Sequence, residues 1–462
     1  MNFKKVINYI FISLLMVCLI SCKKTDDNKE KIPPINTKNY YTDVRDNVEQ
    51  VVYDELEGCF KFFYETANRN EESKGYGLIP DRYNTTSNAA GAVASIASVG
   101  YGLSVIPIGV ENKWITKEEG EDRAYRTLVT LKNMRRTHGF YYHFVNMKSA
   151  TREWSSEVSI IDTAICMNGV LTVGQYYGGR VLKLAREIYE QVEWNWYFDN
   201  NMIRFYMGYS PETGFSGYWD HYAEQLMIYI LAAGSPKYSV GKSAYTFMKT
   251  SSKKATKTSD YDSFYMTNAG SLFTYQFSHA WCDFRNIVDE DKINWFDNSV
   301  NATKASIAWA IKNSSKYKTY SDKSWGATAC DGPNGYTGAY GSTPTSGGKP
   351  LTDGTIPPCG AIGSIVFTPT ESIEAMKNYR TYDRLWSKYG FKDAYNLGTT
   401  ANHTDNTIKI PTNGWYASDV IGIDKGISAL MIENYLSELI WKIYMDIDYV
   451  QIGLQKLRFS EK

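Results

Sequence analysis

The sequence predicts an all-α protein in which six helical hairpins form a ring, the (α/α)6 toroid. The main observation is that two kinds of helical segment alternate along the chain. Amphipathic segments suit an outer layer, and segments that are apolar on every side suit a buried inner layer. A solenoid of stacked helix pairs would alternate in the same way, but no repeated motif of the tetratricopeptide or ankyrin kind appears, which favours the closed ring.

The amphipathic segments are predicted at residues 42–68, 116–137 and 180–192, where apolar side chains recur at helical spacing between charged ones. The apolar segments are predicted at residues 88–110, 157–173, 220–233, 271–284 and 425–445. Further helical segments are predicted at residues 244–250, 294–313, 360–367 and 371–387, which makes about twelve in all. Residues 331–355 differ, because seven glycines and three prolines predict a functional loop at the rim of a cleft.

The beginning of the chain has the form of a bacterial lipoprotein signal. Lysines precede an apolar run of about 15 residues that ends in Ser21 and Cys22. A transmembrane helix is the alternative, but it needs about 20 apolar residues. We therefore expect a signal peptide at residues 1–21, a flexible tether from the lipidated Cys22 at residues 22–40, and the folded domain at residues 41–462. The protein would then be anchored at the outer membrane of a Gram-negative bacterium, facing the periplasm or the cell surface.

The composition argues against several partners and cofactors. Fifty basic and fifty acidic side chains, with no basic stripe, make a nucleic acid an unexpected partner. Five widely spaced cysteines remain after Cys22, which predicts buried free thiols rather than disulfides. No HExxH or paired CxxC motif is present, so we expect no metal and no cofactor. We expect a monomer.

Aromatic side chains are frequent, with 37 tyrosines and 12 tryptophans. Rings with a polar group at one end suit the wall of a wet pocket and stack on the apolar faces of sugars. The alternative is a tyrosine-rich core, and most of the 37 tyrosines are expected to lie there. The excess favours a carbohydrate ligand without proving it.

Carboxylates interrupt the apolar segments, where an unpaired charge is costly, so each needs a structural or a functional reason. Glu224 opens the apolar run 226–232 beside aromatic side chains, and such surroundings raise the pKa of a carboxyl group, as a general acid requires. For Glu157 and Asp162, helix capping or pairing with a buried arginine explains their position equally well. Asp424 stands at the start of the last apolar segment, as an N-cap or as a catalytic carboxylate.

Other side chains near these acids or in loops are candidates for substrate binding, because loops that flank a rigid scaffold usually carry binding residues. They are His221 and Tyr222 beside Glu224, His279, Trp281 and Arg285 at the end of another apolar segment, Asp331 and Asp353 in the glycine-rich stretch, and Trp325 and Trp415 in loops. A buried structural position is the more common alternative for His279, and Asp353 would also fix a turn.

Longer motifs add a family resemblance. They are residues 77–82 (GLIPDR), 161–163 (IDT), 276–281 (QFSHAW), 325–333 (WGATACDGP), 353–358 (DGTIPP) and 431–435 (MIENY). Together they resemble the glucoamylase-like family of bacterial glycoside hydrolases, which includes endo-β-1,2-glucanases. The resemblance covers residues 45–457 and implies an (α/α)6 toroid that hydrolyses glucosidic bonds. It places the family's general acid at Glu224, and Arg82 in the first motif joins the candidate binding residues.

The resulting hypothesis is a glycoside hydrolase that acts on a β-glucan or its oligosaccharides, with β-1,2-glucan as the leading substrate. This reaction needs one protonated and one ionised carboxyl group on either side of the scissile bond. Glu224 is the predicted acid and Asp424 the predicted base, with Asp162 and Glu157 as alternatives. We expect Glu224, Asp424, Asp162 and Trp325 to line one cleft, with the catalytic carboxyls roughly 5–10 Å apart. A non-catalytic glycan-binding lipoprotein and a polysaccharide lyase are the alternatives.

Overall fold

The structure is a computed structural model that describes residue 45, residues 48–405 and residues 408–462. These residues belong to one unit, Ile35–Lys462. The predicted signal peptide, the lipidated Cys22 and the tether lie outside the described residues and stay predictions. Within the described ranges, no helix combines the length and the apolar character needed to cross a membrane.

The described residues are mainly helical and contain thirteen α-helices. They are α1 (Gln50–Thr66), α2 (Ile96–Glu111), α3 (Lys117–Asn133), α4 (Ile160–Tyr177), α5 (Gly179–Tyr189), α6 (Leu226–Gly234), α7 (Ser243–Ser251), α8 (Trp295–Asn313), α9 (Pro358–Ile362), α10 (Pro369–Arg380), α11 (Gly422–Ser437), α12 (Leu439–Met445) and α13 (Asp448–Lys456). Two consecutive 3₁₀ helices, Leu272–Tyr275 and Phe277–Ala280, lie between α7 and α8.

Short antiparallel strands connect the helices. They are β1 (Arg82–Asn84), β2 (Ala89–Ala90), β3 (Val93–Ser95), β4 (Phe144–Asn146), β5 (Val158–Ser159), β6 (Phe198–Asp199), β7 (Arg204–Ser210), β8 (Gly214–Tyr218), β9 (Ile287–Val288), β10 (Cys330–Gly332), β11 (Gly335–Thr337), β12 (Trp386–Ser387), β13 (Gly390–Phe391), β14 (Tyr395–Asn396), β15 (Trp415–Tyr416), β16 (Asp419–Ile421) and β17 (Ser460–Glu461). One sheet has the order β16-β1-β2, and another has β5-β7-β6 with β8 also paired to β7.

The described residues are mainly helical, as predicted, but the prediction of an all-α chain missed these strands. Most of them have only two or three residues, too few to show an alternating pattern; β7 has seven residues and β8 has five. Residues 271–284 contain two 3₁₀ helices instead of an α-helix. The predicted segment 425–445 is divided at Glu438, which adopts a left-handed φ of 60° and ends α11. The glycine-rich stretch contains the β10–β11 hairpin, and α13 had no predicted counterpart.

The apolar helices α2 and α4 pack so closely that only glycine fits between them. A Cβ atom on Gly169 would lie 2.0 Å from the backbone oxygen of Gly100. This close approach explains why α2 combines a high apolar content with glycine. Both helices are buried along nearly their whole length.

Three buried helices begin directly after a short strand: α2 follows β3, α4 follows β5, and α11 follows β16. Backbone hydrogen bonds hold these three beginnings together. They run from Gly422 N–H to Asp81 O (2.8 Å), from Asp81 N–H to Val93 O (2.9 Å), from Ile96 N–H to His143 O (3.1 Å), and from His143 N–H to Glu157 O (2.9 Å). The N-terminal ends of α2, α4 and α11 therefore lie side by side, and side chains in their first turns meet.

Candidate active site

Asp162 and Asp424 occupy equivalent positions in two buried helices. Each is the third residue of its helix, α4 or α11, where the helix dipole favours a negative charge. The hydroxyl of Ser159 accepts from the Asp162 backbone N–H (3.2 Å) and donates to the Asp162 carboxylate, so Asp162 has a structural role at this cap. The N-cap of α11 is Ile421, which has no side-chain oxygen. The alternative that Asp424 itself is an N-cap is therefore wrong.

The carboxyl groups of Asp424 and Asp393 form a buried pair. One Asp393 oxygen accepts from the backbone N–H of Asp331 (2.6 Å), and one Asp424 oxygen accepts from the thiol of Cys359 (3.3 Å). The remaining oxygens are buried and have no hydrogen-bond partner among the described residues. The two side chains are nevertheless close enough for each to shift the pKa of the other. Burial raises the pKa of both groups, and the Asp424 charge raises that of Asp393 further. Two adjacent buried carboxyls cannot both ionise easily, so the pair shares one proton.

Glu224 lies in the turn that precedes α6, and not inside a helix as the sequence predicted. The hydroxyl of Ser278 donates to its backbone oxygen (2.6 Å), and the buried amide of Gln225 ties the turn to neighbouring backbone groups. Burial raises the pKa of the half-buried Glu224 carboxyl to about 7, and the charge of Asp162 adds to the rise. The Glu224 carboxyl can therefore still carry a proton near neutral pH.

A buried tyrosine connects the three predicted acids. Tyr101 in α2 is fully buried, and its ring packs on that of Trp281 with 4.9 Å between the ring centroids. Burial raises the pKa of Tyr101, and the charges of Asp424, Glu224 and Asp162 raise it further. Such effects fall with distance, so these three carboxyls lie in the neighbourhood of the Tyr101 hydroxyl. A common site for Glu224, Asp424 and Asp162 stays a prediction that this proximity supports.

Asp162 also belongs to a cluster with His143 and Glu157. His143 Nδ1 lies 2.9 Å from Glu157 Oε1, and His143 Nε2 lies 3.6 Å from Asp162 Oδ1. Burial lowers the pKa of His143, but the charges of Asp162, Glu157 and Asp81 outweigh this effect and raise it to about 9. The three side chains are close enough to hold a metal ion. An imidazole that stays protonated at neutral pH offers no lone pair to a metal, so the arrangement fits an ion-paired cluster better.

Arg82 joins acidic groups from three parts of the chain. Its Nη1 lies 3.2 Å from Asp331 Oδ1 and 3.1 Å from Asp419 Oδ2, and its Nε lies 3.4 Å from Asp81 Oδ2. The predicted binding residues Arg82 and Asp331 therefore contact each other. The side chain of Arg82 is 36% exposed, so part of the guanidinium group faces solvent.

Tyr336 in the glycine-rich stretch lies close enough to the carboxyl pair for its pKa to respond to their charge. This side chain is 45% exposed, and burial of its hydroxyl together with the charge of Asp424 raises its pKa. Asp353, in contrast, is buried and accepts from a tyrosine hydroxyl (2.6 Å) and from a backbone N–H (2.9 Å), so it fixes a turn. Trp415 is partly buried and packs against the small cluster formed by Cys330 and its neighbours.

Four predicted binding side chains are corrected by the structure, because each is at most 1% exposed: Tyr222, His279, Trp281 and Trp325. Tyr222 stacks on Trp295 with 4.7 Å between the ring centroids. Burial lowers the pKa of His279 to about 3, so its ring is neutral. Side chains without contact with solvent cannot stack on an incoming sugar, and these four belong to the core.

Arg285 also lies apart from the carboxyl pair. Arg285 donates to Glu438 (2.7 Å), which follows the last residue of α11. Asp424 lies at the other end of this helix, about 20 Å away along its axis. His221 is exposed, and its Nδ1 lies 2.6 Å from Asp220 Oδ1. The expected role of Arg285 in sugar binding at this site is therefore corrected.

Sequence reasoning missed three residues of the site: Asp81, His143 and Asp393. The chain has only five histidines, and His143 follows an aromatic run, so this scarcity was a usable signal. Asp81 lies inside the motif that introduced Arg82 but was not singled out. Asp393 has no comparable signal, because only the fold brings it to Asp424.

The site fits a known class of protein. Residues 216–448, half of the chain, match the profile of the Glycoamylase family, whose description reads "Putative glucoamylase". The chain therefore belongs to this family, and the resemblance that the sequence motifs suggested is confirmed.

Individual relatives carry more specific names. The exo β-1,2-glucooligosaccharide sophorohydrolase (non-reducing end) of Parabacteroides distasonis is 26% identical over 454 residues, and the match covers 89% of this chain. The chain spans 58% of the length of that relative. The endo-β-1,2-glucanase of Chitinophaga pinensis, solved with sophorotriose and glucose, is 25% identical with a TM-score of 0.76. That match covers 89% of this chain and 98% of the other.

A second solved structure supports the same fold. The Bacteroides caccae protein that carries the family's description is 28% identical, with a TM-score of 0.76. The match covers 89% of this chain and 99% of the other. The similarity therefore extends over nearly all of the described residues.

The raised pKa of Glu224 predicts a pH-dependent effect of Glu224→Gln on stability. Between the usual glutamate pKa of 4.5 and the folded value of about 7, the folded protein keeps a proton that the unfolded chain releases. The free energy of unfolding therefore falls as pH rises through this window. We expect Glu224→Gln to melt at a higher temperature than the wild type at pH 8 and at a similar temperature at pH 4.

Melting curves at pH 4, 6 and 8 check this expectation. Glu212→Gln is the control, because Arg152 lowers the pKa of Glu212 to about 2 and its charged form is the stabilised one. This control should melt lower than the wild type at neutral pH. A Glu224→Gln variant that melts lower at pH 8 than at pH 4, relative to the wild type, would contradict a raised pKa of the Glu224 carboxyl.

Proposed function

We propose that this protein is a glycoside hydrolase that cleaves glucosidic bonds in a β-glucan or its oligosaccharides, with β-1,2-glucan as the leading substrate. The observation that carries the proposal is a carboxyl with a pKa of about 7, Glu224, at a site shared with two further acids. Family membership and the β-1,2-glucan activities of the named relatives support the substrate class.

In this proposal Glu224 is the general acid, because it still carries a proton near neutral pH and can donate it to the glycosidic oxygen. The Asp424–Asp393 pair carries one negative charge, and Asp424 is the first choice for the base. Asp162 is the alternative, since its charge also acts on Glu224. Glu157 ranks last, because the hydrogen bond from His143 lowers its pKa and occupies its carboxylate.

We also infer that the helices close into the (α/α)6 ring. Six buried elements follow one another in the chain, and each contacts the next: α2, α4, α6, the pair of 3₁₀ helices, α9 and α11. The contact of α11 with α2 completes the cycle. The helices α1, α3, α5, α7, α8 and α10 each precede one of these elements, as the outer partner of a hairpin would. The inner ends would then meet at one cleft.

The localisation is proposed on the N-terminal sequence alone. We infer a monomer anchored through a lipid on Cys22 to the outer membrane, facing the periplasm or the cell surface. A lipid-attached protein should fractionate with membranes, and Cys22→Ser should move it to the soluble fraction. Recovery of Cys22→Ser in the membrane fraction would contradict the anchor.

The hydrolase proposal predicts that Glu224→Gln abolishes turnover while sugar binding survives, because the amide keeps the shape of the side chain but carries no transferable proton. The assay measures new reducing ends on linear β-1,2-glucan, laminarin, cellodextrins and starch. We expect the wild type to act on β-1,2-glucan and the variant to lose about 10²–10⁴-fold in rate.

The same panel tests the alternatives. A wild type that binds a glucan but releases no reducing ends from any of them would support a glycan-binding lipoprotein instead. A product that absorbs in the ultraviolet would indicate a lyase. Near-full activity of Glu224→Gln would mean that another residue is the general acid.

If Asp393 is the protonated partner of Asp424, the variants Asp393→Asn and Asp393→Leu should change the pH profile of kcat/KM to different extents. Asp393→Asn should keep activity within about tenfold of the wild type, because a neutral amide of similar shape replaces a neutral acid beside Asp424 and can offer it an N–H group. Asp393→Leu removes the polar neighbour that lowers the pKa of Asp424. That pKa should then rise, and the acidic limb of the profile should move to higher pH. The alkaline limb, set by Glu224, should stay near pH 7 in both variants.

Asp424→Asn serves as the reference for loss of the base and should be inactive across the pH range. If Asp393→Asn were as damaging as Asp424→Asn, Asp393 would be the ionised group of the pair. Asp393 would then be the base, and Asp424 would be its protonated partner.

A further inference from the structure

Trp154 is the most exposed large hydrophobic side chain of the described residues, at 67%. Single exposed apolar side chains are common and need no explanation by themselves. Trp154 differs because it lies in a turn with left-handed backbone angles and because ring contacts connect it to the candidate active site.

The backbone at Trp154 is strained. Trp154 and Ser155 adopt φ values of 52° and 51°, in the left-handed region that bulky residues avoid. Such a conformation is costly, and it persists only where the surrounding structure enforces it. Two consecutive residues of this kind, neither of them glycine, mark the turn as a position where function is the stronger explanation.

Arg152 enforces the turn. Its Nε donates to Ser156 O (2.6 Å), and its Nη2 donates to Ser155 O (2.6 Å). The same guanidinium group makes a two-point ion pair with Glu212, at 2.6 and 2.9 Å, in the turn between β7 and β8. The hydrogen bonds and the ion pair of Arg152 therefore hold the turn that carries the Trp154 indole in one conformation.

Ring contacts lead from Trp154 to the acids. The rings of Trp154 and Phe144 are 5.1 Å apart, and Phe144 stacks on His143 at 3.8 Å. His143 in turn contacts Glu157 (2.9 Å) and Asp162 (3.6 Å). Trp154 thus lies two side chains away from the carboxylates, at the outer edge of their cluster.

We propose that Trp154 is the stacking platform of an outer glucosyl subsite, where one sugar ring of the chain lies on the indole while the scissile bond reaches Glu224. The C–H face of a pyranose ring is apolar and matches an exposed aromatic face. The other large aromatic side chains named as candidates are buried or partly buried. This inference rests on the proposed function.

The test compares Trp154→Asn and Trp154→Phe with the wild type on β-1,2-gluco-oligosaccharides of increasing length. Asparagine tolerates the left-handed conformation but has no aromatic face. We expect Trp154→Asn to raise KM for long oligosaccharides about three- to tenfold and to affect the disaccharide less. Trp154→Phe should stay near the wild type. The melting temperature of Trp154→Asn should not fall, because the strain is relieved.

Met207→Ala is the matched control, because Met207 is an exposed apolar side chain (45%) on β7 that is not part of the proposed platform. Its KM should equal that of the wild type at every length. A lower melting temperature with unchanged KM for Trp154→Asn would make Trp154 a structural residue and overturn the subsite.

The stacking platform can be tested separately from the proposed hydrolase activity. If the wild type hydrolyses no glucan, calorimetric titration with the same oligosaccharides still tests the platform. Binding that weakens in Trp154→Asn and persists in Met207→Ala would support it. Equal dissociation constants for the wild type and Trp154→Asn, or no binding of any oligosaccharide to the wild type, would overturn it.

Discussion

The arrangement of this site depends on one set of backbone hydrogen bonds. Short strands lead into the buried helices α2, α4 and α11, and main-chain bonds through Asp81 and His143 hold the helix beginnings side by side. Helix beginnings have free N–H groups and a partial positive charge. Carboxylates can be kept there at a lower cost than elsewhere in an apolar core, and this is where Asp162 and Asp424 lie.

Burial then divides the acids into different protonation states. Burial and the charge of Asp162 raise the pKa of Glu224 to about 7. Asp393 and Asp424 share one proton because two adjacent charges in a buried site repel each other. His143 keeps its proton among three acids. Different environments thus give neighbouring titratable groups different protonation states, which is the division that the proposed glycoside hydrolysis requires.

The sequence predicted most of the helical segments and singled out Glu224, Asp162 and Asp424, because both signals are local; the roles of these acids stay predictions. Helical periodicity is visible within a few turns, and a charge inside an apolar run is conspicuous. The buried aromatics were predicted wrongly for the same reason. Trp325 and Tyr222 have the composition of a binding wall, but a ring that packs in the core has the same sequence signature.

What the sequence by itself determined is the helical class, the family and the presence of acids in apolar surroundings, since these depend on residue type and spacing. Only the tertiary structure decided which acids meet. Asp393 reaches Asp424 because its backbone bonds to Asp419 in β16, immediately before α11. Contacts between residues far apart in the chain, and the pKa shifts that burial causes, arise from packing, and no local pattern encodes them.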